Sequence, residues 1–188
     1  MKKYGLILLL IIICAHSFAQ KQLSGKTAKI LSFRVESPNP GINDNELLLP
    51  LASQLTQLFR FSEVSFIEGA HVQWRGENPF NKFKKLNKNE LFKISSNADE
   101  ALLKIEIEHR YNPVLGGVIG KSRRHVMRLK IALFTSSGER VWYHKRKDSC
   151  CIDFGVNEED ESQYAYMDAS SFLQLYESTL LKTFGRKK

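Results

Sequence analysis

The sequence predicts an α+β fold: a mixed β-sheet with a long antiparallel hairpin and a third strand, packed by an N-terminal and a C-terminal helix. Three patterns carry that prediction. Residues 101–111 and 125–135 each alternate strictly between apolar and polar side chains, leucines recur at helical spacing near residues 51–58, and a second helical stripe closes the chain.

The hairpin is the clearest element. In 101–111, Ala101, Leu103, Ile105, Ile107, His109 and Tyr111 alternate with Lys104, Glu106, Glu108 and Arg110. In 125–135, Met127, Leu129, Ile131 and Leu133 alternate with Arg128 and Lys130. Antiparallel pairing about Val118 sets Glu106 against Lys130, Glu108 against Arg128, Ile105 against Ile131 and Ile107 against Leu129. Each such pair contributes roughly 0.2–1 kcal/mol. A slip of one residue would turn the charges into the core, so the register is well specified, with a dry aliphatic face and a wet charged one.

The other elements follow in order. Residues 29–35 read as a strand ended by Pro38, Pro40 and Gly41. Asp44 or Asn45 caps a helix reaching Phe59, with Leu51, Leu55 and Leu58 on one face. Pro50 fits that helix only in its first turn, where amide hydrogens lack partners anyway. Residues 63–68 form a short strand stopped by Gly69, and 89–96 a short helix. After the hairpin, Ser136-Ser137-Gly138-Glu139 turns the chain into a third strand over 140–147. Asp168 caps the last helix, whose Phe172, Leu175, Tyr176, Leu180 and Phe184 form one stripe ahead of Gly185. The stretches 37–43, 70–87, 112–124 and 153–168 are expected to be irregular.

Ahead of this domain stands a leader. Lys2 and Lys3 precede an apolar run over 5–15, and Ser17-Phe18-Ala19 supplies small residues at −3 and −1 of a cleavage site. That is the layout of a bacterial secretory signal, and the run is short for a membrane span. Cleavage after Ala19 leaves residues 20–188 as a single domain, periplasmic or secreted. Cys14 could carry lipid only if Ile13 satisfied enzymes that want a small residue there, so an outer-membrane lipoprotein is the less expected product. No later run is long enough for a transmembrane helix. The chain's net charge of +8, less the leader's two lysines, leaves +6 on the mature protein. That balance suits an anionic envelope partner, a membrane or cell-wall surface or an acidic protein, and at this address nucleic acid is not expected.

The chain's short motifs exclude several chemistries. Gly116 to Ser122 has the composition of a phosphate loop but is one residue short and leads into a strand rather than a helix. No Gly-x-Ser-x-Gly elbow occurs. Glu158-Glu159-Asp160-Glu161 reads as a solvated acidic run. The mature histidines are His71, His109, His125 and His144. The hairpin register puts His109 and His125 on one face, where structural roles are expected and neither a metal nor a cofactor is. Cys150 and Cys151 are adjacent, their Cα atoms about 3.8 Å apart and so below the usual disulfide range. They read as inert thiols, a labile redox pair or an intermolecular bridge.

Two segments bear on the fold's kinship. Asn97-Ala98-Asp99-Glu100-Ala101-Leu102-Leu103 is similar to the Gly-Ala-Asp-x-Leu-Leu segment before the central hairpin in one group of envelope domains. Gly138-Glu139-Arg140-Val141-Trp142 is similar to that group's Asp-x-x-Gly-x-x-Val-Trp turn and strand, with Thr135 and Ser136 where the aspartate stands. The chain thus resembles the domain shared by the amino-terminal part of the TolB translocation protein, the curli-secretion lipoproteins and the penicillin-binding-protein activator lipoproteins. The resemblance implies helices against a mixed sheet and an envelope binding or assembly role.

Two surfaces are the expected binding sites. The hairpin loop joins Leu115, Val118 and Ile119 to Lys121, Arg123 and Arg124, and a second segment sets Trp74 beside Lys84 and Lys85. Apolar anchors next to cations suit an anionic membrane or an acidic partner. The expected function is a non-catalytic envelope binding or assembly module. The competing expectation is a small secreted hydrolase or thiol-redox protein using Cys150 or Cys151.

Overall fold

The hairpin adopts the register that its charges predict. In β4 (Glu100–Val114) and β5 (Ser122–Thr135), Glu106 faces Lys130, Glu108 faces Arg128, Ile105 faces Ile131 and Ile107 faces Leu129. The computed structural model describes residues 23–37, 39–74, 85–86, 99–114, 122–153 and 167–185, with 111–114, 122–123 and 151–153 described by backbone alone. The expected helix over 89–96 and the tip of the hairpin loop lie outside the described residues.

β6 (Arg140–Asp153) pairs antiparallel with β5 and runs to Asp153 instead of ending near Lys147. On the other side of β4 lies β1 (Thr27–Glu36), parallel to it. Helix α1 (Asp44–Phe59) then carries the chain to β2 (Glu63–Phe66) and β3 (Val72–Trp74), both parallel to β1 along successive parts of its outer edge. β3 falls in a stretch expected to be irregular. Only three residues long, it carries too little alternation to stand out. The sheet order is β2-β1-β4-β5-β6, with β3 also on β1, and α2 (Ala169–Phe184) ends the fold. The architecture is α+β, as the sequence predicts.

Both helices are held at their ends by local chemistry. The cap of α1 is Asn43, one residue before the expected position. Its side chain accepts from the Glu46 amide at 3.2 Å, and the Glu46 carboxylate accepts from the Asn43 amide at 2.8 Å. That reciprocal box satisfies two amides that a helix start leaves unpaired. Arg60, left-handed at φ 58°, closes the helix. Pro50 therefore lies inside α1, beyond the first turn, and nearby the Tyr176 hydroxyl of α2 donates to the Leu47 carbonyl at 3.0 Å. Asp168 caps α2 as predicted, accepting from the Ser171 amide at 2.9 Å.

The core lies between the two helices and one face of the sheet. Leu47, Leu51, Leu55 and Phe59 of α1 and Phe172, Leu175, Tyr176 and Leu180 of α2 are buried against Phe33, Val35, Leu103, Ile105, Ile107, Leu129 and Ile131. The opposite face corrects the expectation of a wet surface. Leu31, Leu102, Ala132 and Phe134 form a second, smaller cluster there. Beside it, Lys104, Glu106 and Glu108 are buried, and Lys104 donates to the Lys85 carbonyl at 3.2 Å.

Candidate functional site

The parallel register of β1 on β4 ends with Glu36 beside Glu108, which brings the next residues, Ser37 and His109, together. Ser37 Oγ lies 3.2 Å from His109 Nδ1, and His109 Nε2 lies 3.1 Å from His125 Nδ1. The imidazoles stack 5.2 Å apart, and the Phe172 ring of α2 meets His109 edge-on at 5.6 Å. Burial, reinforced by the neighbouring His125, pushes His109 down to about 4. A hydroxyl and two imidazoles in series can relay a proton. Here Ser37, His109 and His125 are only 4%, 2% and 4% exposed, so the relay is closed to substrate.

His125 pairs across the sheet with Cys150, while Arg124 pairs with Ile152, so Cys151 is the extra residue of a β-bulge. Cys150 is disulfide-bonded, and the side chains of the chain's other cysteines, Cys14 and Cys151, lie outside the described residues. Among the described residues no three His, Cys, Asp or Glu side chains are grouped to hold a metal.

The second polar assembly is on the opposite face. The Lys130 ammonium bonds both Glu106 and Glu108, and Arg128 bonds Glu108. Arg110 adds a looser contact to Glu108 at 3.9 Å and to Glu36 at 3.8 Å. Burial raises Glu106 above the usual carboxylate range despite Lys130. Burial also acts upward on Glu108, but the bonds from Lys130 and the charge of Arg128 outweigh it and leave Glu108 below that range. Next to this network β6 adds only cations: Lys145 pairs with Lys130, and Lys147 with Arg128. Arg146, opposite Leu129, projects toward the other face, where its strand neighbour Asp148 bonds Ser178 and Lys182 of α2. Lys145, Arg146 and Lys147 are exposed, and none joins an ion pair among the described residues.

Of the residues expected to bind a partner, Leu115, Val118, Ile119, Lys121 and Lys84 lie outside the described residues. Arg124 is exposed on β5, and Arg123 is placed by its backbone between Pro113 and Asp153. Trp74 is half-buried in β3, its ring 5.8 Å from Phe172, and Lys85 offers its carbonyl to Lys104. Ser37 and the β6 cations were missed by sequence reasoning. Ser37 becomes a neighbour of His109 only through the parallel β1–β4 pairing, whereas the Lys-Arg-Lys run was visible but hidden in an ordinary strand pattern. A shallow groove of about 160 Å³ lies between the helices, lined by Pro50, Ser53, Gln54, Glu177, Leu180 and Leu181.

No family model matches the sequence, and no curated protein matches it. Solved structures do. The chain is similar to the PelC dodecamer from Paraburkholderia phytofirmans at 14% identity and a TM-score of 0.41, covering 84% of this chain and 85% of that one. It is similar to a minor lipoprotein from Acinetobacter baumannii at 12% identity and a TM-score of 0.37, covering 84% and 87%. It is also similar to a lipoprotein from Neisseria meningitidis at 15% identity and a TM-score of 0.31, covering 84% and 96%.

Proposed function

We propose that this chain is an exported, non-catalytic module of the bacterial cell envelope that acts by binding a partner. The observation that carries the reading is how its reactive side chains are used. Ser37, His109 and His125 are buried and bonded to one another, and the Cys150 thiol is taken up in a disulfide. Side chains that could perform hydrolysis thus serve as internal ties, and the exposed polar surface of the sheet edge is basic. The leader over residues 1–19 supports the envelope address.

Expression of the full chain in a Gram-negative host, followed by envelope fractionation and intact-mass analysis, tests the address. A soluble envelope product beginning at Gln20 is expected. A product kept in the cytoplasm with its leader overturns the proposal, and a diacylglyceryl group on Cys14 converts it to a membrane-anchored form.

One observation favours a second reading, a thiol-redox protein. The disulfide-bonded Cys150 sits opposite His125 in the β5–β6 register, and an imidazole beside a cysteine favours the thiolate. Turnover in an insulin-reduction assay that is lost in Cys150→Ser supports that reading. A protein that reduces no added disulfide leaves the non-catalytic one.

A further inference from the structure

We infer that the outer edge of β6 is a docking strand for an extended acidic peptide segment of a partner protein, added to the sheet beside Lys145, Arg146 and Lys147. The inference rests on the binding role proposed above and specifies its surface and the chemistry of its partner.

β6 is the last strand in the order β2-β1-β4-β5-β6, and its fourteen residues pair with β5 on one side only. Among the described residues no strand lies on its other side. Every second residue therefore turns an amide hydrogen and a carbonyl outward, the template to which an extended peptide adds.

Lys145 and Lys147 stand directly beside Lys130 and Arg128, and like charges at such positions oppose pairing. Lys130 and Arg128 already have Glu106 and Glu108 as partners, so among the described residues no carboxylate relieves the repulsion on β6. Cations on an exposed edge do serve to discourage self-pairing. Here three stand in succession. Antiparallel pairing of two copies about Arg146 would set Lys145 against Lys147, so the same run excludes a second copy while selecting a strand of opposite charge.

Lys145 and Lys147 lie on the face bearing Glu106 and Glu108, whereas Arg146 lies on the face bearing α2. A planar anionic membrane meets the cations of one face at a time. A strand lying along the edge meets all three, because its own side chains alternate between the faces. The partner segment accordingly carries three consecutive carboxylates within a β-prone stretch.

The test uses the purified mature protein and is independent of export, so its failure leaves the proposed address standing. The probe is a fluorescein-labelled decapeptide of three glutamates flanked by alternating valine and threonine, followed by anisotropy. Saturable binding is expected, at least tenfold weaker for the matching glutamine peptide and for the variant K145T/R146T/K147T, whose threonines keep the strand. Binding also weakens at least tenfold when alternate peptide amides are N-methylated, and hydrogen exchange slows at β6 amides when the unmodified peptide is bound. An N-methylated peptide that binds as well as its parent overturns strand addition in favour of unspecific charge attraction. Phosphatidylglycerol vesicles that capture the protein while the peptide does not overturn it in favour of a membrane. Absence of saturable peptide binding at low salt also overturns it.

Discussion

His109 Nε2 and His125 Nδ1 lie 3.1 Å apart in a buried stack of two imidazoles, tying the two strands of the hairpin together on the face that receives α2. Burial and the neighbouring ring lower His109 from 6.5 to about 4. The unfolded chain therefore takes up this proton before the native protein does. Stability from this group is complete above about pH 6.5 and declines as the pH falls toward 4, by about 1.4 kcal/mol per unit and on the order of 3 kcal/mol in all. Urea midpoints measured at pH 7.5, 5.5 and 4.5 should fall in that order, and His109→Gln should flatten the dependence. An unchanged slope in the variant assigns the acid sensitivity to other groups.

Lys130 bonds two carboxylates that have little access to water, Glu106 and Glu108. Replacing it by methionine leaves Glu106 and Glu108 facing each other, at a cost of about 3 kcal/mol or more at neutral pH. The further change Glu106→Gln should recover much of that loss, since the repelling pair is then gone. A K130M protein as stable as the parent in chemical denaturation contradicts this account.

The Tyr176 hydroxyl reaches from one helix to the main chain of the other, close to the proline-interrupted turn of α1. Burial holds its phenol far above its ordinary range, so it stays a donor at any pH at which the protein folds. Tyr176→Phe should lower stability by about 1 kcal/mol without changing the denaturant slope. A rise in the absorbance of tyrosinate from Tyr176 in the folded state below pH 11 would mean that the hydroxyl is open to solvent.

Asn43→Ala removes the side-chain acceptor of the capping box and should cost about 1 kcal/mol, whereas Asn43→Asp should retain most of the stability. Thermal melts of the two variants separate a capping effect from a simple packing change.

The parts legible in the sequence were those whose partners are close along the chain. The β4–β5 register could be read because one turn joins two alternating segments, so matching Glu106 with Lys130 fixed every other pair. The stripe of α2 was legible because helical spacing is local. The parallel union of β1 with β4 was not, since no short turn links them and both are apolar enough to sit beside several neighbours. Ser37 was missed for that reason, while His109 and His125 came out on one face as expected. The burial of Glu106 and Glu108 was hidden for a different reason. Alternation identifies two faces of a strand but does not state whether the charged one meets water or other protein.

β1 sits inside the sheet, yet it is completed only by a strand that follows much later in the sequence. A chain delivered amino-terminus first, from a ribosome or through a pore, exposes β1 while β4 is still to come. Local pairing with β2 and β3 covers one side of it and leaves the other open. Loop closure over that distance makes the β1–β4 union slow, and the antiparallel β4–β5–β6 unit is the natural surface on which it completes. The sheet therefore cannot close around β1 until β4 has been made, which ties completion of the core to the later half of the polypeptide.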